Sequence, residues 1–287
     1  MCAKNNNSPL ESVSLVSTGA VEIHPEHAYG TRKPDVLWLL TSRKWLPPRP
    51  INAYLIEHSG GLVLFDTGQD RASVTDPDYF PKGFVGLIYR RLARFEIGPS
   101  ETLTEQIKSL GYSISDVRTA VLSHLHQDHI GGLRELSHAE IVVSNDEWEE
   151  ALKPKAESNG FLRKHIEIPG LKWKRISFQA TDDPTLAPFT ESFDLMGDGS
   201  LILLPTVGHT SGSLSMLVRG GAKNPLLMIG DLSYETEHME RGGIPGVGNK
   251  KLLHAASKKV LELKNNMPGL VLLPAHDPGA ADRLRRS

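Results

Sequence analysis

Apolar positions fall mostly into short unbroken runs, each closed by glycine, proline or a polar residue. "INAYLIEH" and "GLVLFDTG" meet at Ser59, Gly60 and Gly61 and predict a β-hairpin. "TAVLSH", "EIVVS", "SLILLPTVGH", "SLSMLV", "PLLMIGD" and "GLVLLPAH" predict further strands, apolar enough to be buried. Two stretches carry helical spacing instead. "SETLTEQIKSLGY" predicts a helix capped by Ser100, with Leu103, Ile107 and Leu110 on one face and Gly111 as its stop. "NKKLLHAASKKVLELKNNMPG" predicts the best-formed helix, with Leu252, Leu253, Ala256, Val260 and Leu263 along one face. Strands and helices interleave without a clean linker, so one α/β domain over residues 1–287 is expected. Residues 29–50, with Trp38 and Trp45 among prolines and basic residues, and 74–97, rich in aromatics with a basic patch, fit neither pattern. They read as ordinary loop or as insertions that line an apolar pocket.

Four of the apolar runs end in a metal-seeking side chain. "TAVL" leads into "SHLHQDHIGG", which holds His124, His126, Asp128 and His129 within six positions. "LILLPTVGH" ends in His209, "LLMIGD" in Asp231 and "VLLPAH" in His276. Buried imidazoles and carboxylates are expensive to desolvate unless something pairs with them, so a metal site is expected. Strand ends suit such a site, because the sheet is rigid while the following loop can be shaped freely. His124 and His126, two apart on extended backbone, point to the same side. Asp128 and His129 follow after a bend, and Gly131 and Gly132 are expected to let the chain turn sharply. Imidazole and carboxylate without thiolate suit zinc, and also iron, manganese or cobalt. Seven donors are too many for one closed four-coordinate site, so two open sites sharing a carboxylate fit better. The remaining histidines (His24, His27, His58, His138, His165, His238 and His254) lack this strand-end context and are expected to be solvated or structural.

Composition narrows the partners. With 32 basic and 34 acidic residues the formal net charge is −2, which gives no electrostatic case for nucleic acid or an anionic membrane. Cys2 is the single cysteine, so no intrachain disulfide is expected. The opening residues "MCAKNNNSPLES" lack an apolar signal core, and no apolar run approaches the roughly 20 residues of a spanning helix; a cytoplasmic protein is the expectation.

H-x-H-x-D-H followed by a lone His, Asp and His at strand ends resembles the metallo-β-lactamase superfamily, as does "LVLFDTG" upstream. "GHTSGSLSML" and "GDLSYE", which sets Tyr234 three residues after Asp231, are similar to the branch of N-acyl homoserine lactone lactonases that quench quorum sensing. The resemblance runs from about Ile51 to His276. It implies an αβ/βα sandwich with two metal ions between the sheets' edges. It assigns His124, His126 and His209 to one metal, Asp128, His129 and His276 to the other, and Asp231 to a bridge between them. Asp66 either helps orient a ligand or simply forms a turn. Gln127 and Ser211 depart from the branch, which commonly has an apolar residue and a proline there. A homodimer is also implied.

The implied reaction is opening of a lactone ring. A water held between two divalent metals about 3.5 Å apart, with its pKa lowered towards ~7, would attack the carbonyl. Tyr234 would donate to the developing oxyanion, and Asp128 would shuttle the proton to the leaving ring oxygen. A thioesterase, a phosphodiesterase or another ester hydrolase of the same fold is the alternative, since fold does not fix substrate. An iron oxidoreductase fits less well, because diiron members tend to replace a histidine by glutamate. A non-catalytic binding module would be expected to have lost ligands, and none is missing.

Overall fold

The computed structural model describes residues 8–287; Cys2 and the opening residues, on which the expectations about disulfides and secretion rest, lie outside the described residues. The strands form two mixed sheets. The first takes β1 (Leu10–Ile23), β2 (Arg49–His58), β3 (Gly61–Phe65), β4 (Ala93–Glu96), β5 (Val117–Val121), β6 (Glu140–Ser144) and β7 (Lys172–Ile176), in the order β4-β1-β2-β3-β5-β6-β7. The second takes β8 (Gln179–Ala180), β9 (Glu191–Asp194), β10 (Leu201–Pro205), β11 (Leu214–Val218), β12 (Leu226–Gly230) and β13 (Val271–Pro274), in the order β13-β12-β11-β10-β9-β8.

The apolar runs are unbroken because both faces of each central strand are covered. In β2, Tyr54 and Ile56 point into the space between the sheets, while Ala53 and Leu55 face helix Leu103–Ser109 on the outside. In β10, Leu201 and Leu203 point between the sheets, and Ile202 and Leu204 face helix Lys250–Asn266. The result is helix, sheet, sheet, helix: the expected αβ/βα sandwich. No helix among the described residues is long and apolar enough to cross a membrane.

Strand direction then sets where the site lies. β3 and β5 run parallel. β10 and β12 are each antiparallel to β11, and β13 is parallel to β12, so β10, β12 and β13 share one direction. The segments that leave these five strands carry Asp66, the His124 cluster, His209, Asp231 and His276. β11, which runs the other way, carries none of them.

Several local expectations are corrected. The helix after Pro99 is capped by Thr102, whose side chain accepts from the Glu105 N–H, and not by Ser100, which sits in a preceding 3₁₀ turn. Leu252 is exposed rather than buried, because Leu253, Ala256, Val260 and Leu263 already form the covered face. Gly131 has an ordinary helical φ of −59°, so it is not there to make a sharp turn. A Cβ there would lie 2.1–2.6 Å from the Gln69–Asp70 backbone, and this close approach is what excludes any side chain. The two unassigned segments are not simply loop. Each holds a helix, Asp35–Thr41 and Gly83–Leu92 respectively, and the second also supplies edge strand β4.

Candidate metal centre

Leaving β3, Asp66 takes the left-handed conformation (φ 60°), uncommon for a residue with a side chain. Its carboxylate accepts from the Ser123 N–H at 2.7 Å, from Ser123 Oγ at 2.8 Å and from His129 Nδ1 at 2.9 Å. Of the two expectations for Asp66, the orienting one describes these contacts. A carboxylate only accepts, so His129 carries its proton on Nδ1 and turns the lone pair of Nε2 inward. The same logic covers three more rings. His276 Nδ1 lies 3.0 Å from the Pro50 carbonyl, and His126 Nε2 lies 3.1 Å from the Asn159 carbonyl. His124 Nδ1 donates to Ser123 Oγ at 3.0 Å, since that hydroxyl spends its own proton on Asp66.

The inward atoms converge. His209 Nε2 and His126 Nδ1 are 2.9 Å apart, two nitrogens facing each other. Asp231 lies in the middle: Oδ1 is 3.3 Å from both His129 Nε2 and His276 Nε2, while Oδ2 is 3.6 Å from His209 Nε2. Asp128 Oδ2 is 3.5 Å from His276 Nε2. All seven residues named from the sequence are thus brought together. They fall into overlapping groups: His124, His126 and His209; His124, His129 and Asp231; and Asp128, His129 and His276. His124 Nε2, His129 Nε2 and Asp231 Oδ1 are buried without a hydrogen bond. Native proteins rarely leave such atoms unpaired, so the donor set fits cations.

Charge agrees. Burial and neighbouring imidazoles hold His124 well below the usual histidine range, and burial does the same to His209. His129 and His276 are raised despite burial, chiefly by the Asp231 carboxylate. The carboxylates at the centre favour positive charge beside them, which is the demand a bound cation would meet.

A cavity of ≈ 700 Å³ opens over this cluster. Trp38 and Leu39 from the first unassigned segment line it, with Ile88, Tyr89, Leu92 and Phe95 from the second. Trp45 does not; it packs against His24 and under the Arg94 guanidinium. Phe84 does not either, being 71% exposed at the start of its helix. Tyr234 stands beside the cluster, its hydroxyl donating to Asp231 Oδ2 at 2.9 Å and its ring stacked on His276.

The metallo-beta-lactamase family model matches residues 46–276. The chain belongs to the metallo-beta-lactamase superfamily. It is 31% identical over 232 residues to the N-acyl homoserine lactonase AttM of Rhizobium radiobacter, covering 80% of this chain and 83% of that one. Its fold matches that of an N-acyl homoserine lactone hydrolase solved with N-hexanoyl-L-homoserine at its catalytic metal center (TM-score 0.74, 22% identity, 94% and 95% of the two chains). It also matches AidC, a dizinc quorum-quenching lactonase (TM-score 0.60, 18% identity, 94% and 89%).

In this superfamily member the departures have visible surroundings. Gln127 is buried at the cavity wall with Oε1 unpaired, and Ser211 donates to Glu150 at 2.8 Å. Two residues of the site were missed. His27 was expected to be solvated or structural, yet it is 7% exposed, lines the cavity and meets the Tyr234 hydroxyl at 2.9 Å. Glu147 gave no signal in the sequence beyond a polar residue in an acidic stretch. It is fully buried and ties two loops of the cluster together: Oε1 accepts from Leu125 N–H at 2.8 Å, and Oε2 from Thr210 Oγ1 at 2.6 Å and Gly212 N–H at 3.1 Å.

Glu147→Ala strands the Leu125 and Gly212 N–H groups in the interior and leaves Thr210 Oγ1 only the Ser213 hydroxyl, at about 3 kcal/mol or more in all. For a domain of this size the melting temperature should fall by about 5–10 °C. An unchanged melting temperature, measured by calorimetry, would show that the loops hold their places without this carboxylate.

Proposed function

We propose that this chain is a binuclear metal-dependent hydrolase that opens the ring of N-acyl homoserine lactones. The observation that carries the reading is the joint placement of the seven-donor cluster, the Tyr234 hydroxyl and an apolar cavity. The lactonase relatives, similar along most of their length, support it. His124, His126 and His209 would hold one divalent cation and Asp128, His129 and His276 a second, with Asp231 between them; zinc suits this donor set. Such cations supply Lewis acidity toward an ester carbonyl and make water acidic enough to act as a nucleophile near neutral pH.

The protein's own groups do the rest. Burial, reinforced by Asp231, pushes the Tyr234 phenol well above its usual range, so it remains a donor. Aimed at the carbonyl oxygen, it would stabilise the charge that develops there. Asp128 lies at the cavity floor and keeps part of its side chain accessible. It would take the proton of the attacking water and return it to the ring oxygen as the C–O bond breaks, leaving an N-acyl homoserine. The wall built by Trp38, Leu39, Ile88 and Phe95 would take the acyl chain.

The decisive experiment is a hydrolysis panel of N-acyl homoserine lactones, thioesters and phosphodiesters on zinc-reconstituted protein. The lactones should be turned over with the highest kcat/KM; a thioester or phosphodiester leading the panel would replace this reading with its rival.

Elemental analysis should find about two metals per chain. Asp231→Asn removes the charge between the two sets and should lower the content towards one, with loss of activity. Full activity from wild type carrying one tightly bound metal would contradict the binuclear centre.

Trp38→Ala opens the wall where a chain would lie. KM should rise by roughly tenfold for a long-chain lactone and little for a short one, the scale of one to two buried CH₂ groups. Equal effects on both would remove Trp38 from the acyl site.

A further inference from the structure

Tyr234 has two polar neighbours and one phenolic proton. Its oxygen lies 2.9 Å from Asp231 Oδ2 and 2.9 Å from His27 Nε2. A carboxylate only accepts, so the phenolic proton goes to Asp231 and the imidazole must be the donor in the second contact. His27 is therefore the Nε2–H tautomer. Burial holds this imidazole down to about 4, so it is neutral at ordinary pH. Its other nitrogen, Nδ1, is buried without a hydrogen bond.

That unpaired nitrogen argues against a merely structural role. The ring packs at 6.1 Å from Trp38 and edge-on to Tyr234 at 5.3 Å, an environment a phenylalanine would fill without stranding a polar atom. The one thing the imidazole adds is the Nε2–H. The contact is also held from outside. His27 lies in the short helix Pro25–Tyr29, and Tyr29 Oη donates to Glu235 at 2.7 Å, next to Tyr234 in the chain. Arg49 bonds both Tyr29 Oη and Glu235 at 2.6 Å, and the Gly246 N–H donates to the His27 carbonyl at 2.7 Å.

We propose that His27 is a positioning residue for ring opening: its Nε2–H, donated to Tyr234 Oη, aims the phenolic proton into the cavity and strengthens it as a donor to the oxyanion. The proposal rests on the lactonase reading and on the part Tyr234 plays in it. When the phenolic proton leaves Asp231 for the substrate carbonyl oxygen, a lone pair of the same oxygen keeps the bond from His27. Hydrogen bonds in such a chain polarise one another, so the donor gains strength from the one behind it.

The test uses the zinc-loaded full-length protein, with N-hexanoyl homoserine lactone as substrate. Tyr234→Phe should lower kcat roughly ten- to a thousandfold at unchanged metal content. His27→Phe should lower kcat by about five- to tenfold, the scale of one lost hydrogen bond, with KM little changed. His27→Gln, whose amide N–H reaches the position of Nε2–H, should restore most of the rate. In the Tyr234→Phe background, His27→Phe should change kcat by less than about twofold, since its target is gone. The ¹⁵N spectrum of histidine-labelled wild type should show His27 as the Nε2–H tautomer, a readout that needs no turnover and survives if the phenylalanine variant fails to fold.

Three results overturn the proposal: an Nδ1–H tautomer at His27, wild-type kcat in His27→Phe, or an equal loss from His27→Phe with and without the Tyr234 hydroxyl. An unaltered rate in Tyr234→Phe removes the tyrosine from the reaction and overturns it by another route. Absence of any lactone hydrolysis by wild type would instead strike the lactonase reading itself.

Discussion

Five imidazoles and two carboxylates must be drawn from water to one place, and most of what surrounds them answers that constraint. Each such group resists burial unless its hydrogen bonds are replaced. The fold meets the demand first by direction. The strands that deliver these residues run the same way within each sheet, so their outgoing segments meet along one edge of the sandwich. The antiparallel strand between them, β11, is there to connect and to fill the core.

The second answer is a ring of acceptors outside the cluster. Asp66, Ser123, the Pro50 carbonyl and the Asn159 carbonyl each take one ring N–H, and by taking it they decide which nitrogen faces inward. These acceptors come from four separate stretches of chain. The orientation of these rings therefore depends on the whole fold being assembled. Glu147 extends this, holding the loop of His124 and His126 to the loop after His209 from a helix that contributes no residue to the cluster. The left-handed backbone at Asp66 belongs to the same arrangement, in which one carboxylate meets Ser123 and His129 together.

The parts of this arrangement that were legible in the sequence are those where burial and chemistry leave a local mark. Central strands covered on both faces read as apolar runs, and the cluster residues stand directly after them, so both were visible. β1 was not, because it mixes polar and apolar residues over 14 positions and its pairing with β2 is interrupted by irregularities. Gly131 stands out in the sequence as a turn residue, but its role is set by the backbone of Gln69 and Asp70, far away in the chain, which no local pattern reports. His27 and Glu147 were missed for a related cause. Neither ends an apolar run, and each acquires its meaning from long-range contacts, with Tyr234 for the first and with two loops of the cluster for the second.

The family model begins at residue 46, and that boundary divides the labour within the site. The cluster, its acceptors and Tyr234 all lie inside the matched region; His27, Trp38 and Leu39 lie before it. Chemistry shared across a superfamily needs the rigid edge of the sandwich, whereas the shape of the cavity needs segments free to differ between members. Such a division requires a residue that belongs to both halves. Tyr234 fills that place: through one oxygen it touches Asp231 at the centre of the cluster and His27 on the segment that walls the cavity. A change in the walling segment can therefore reach the cluster through this phenol, without altering a single residue of the cluster.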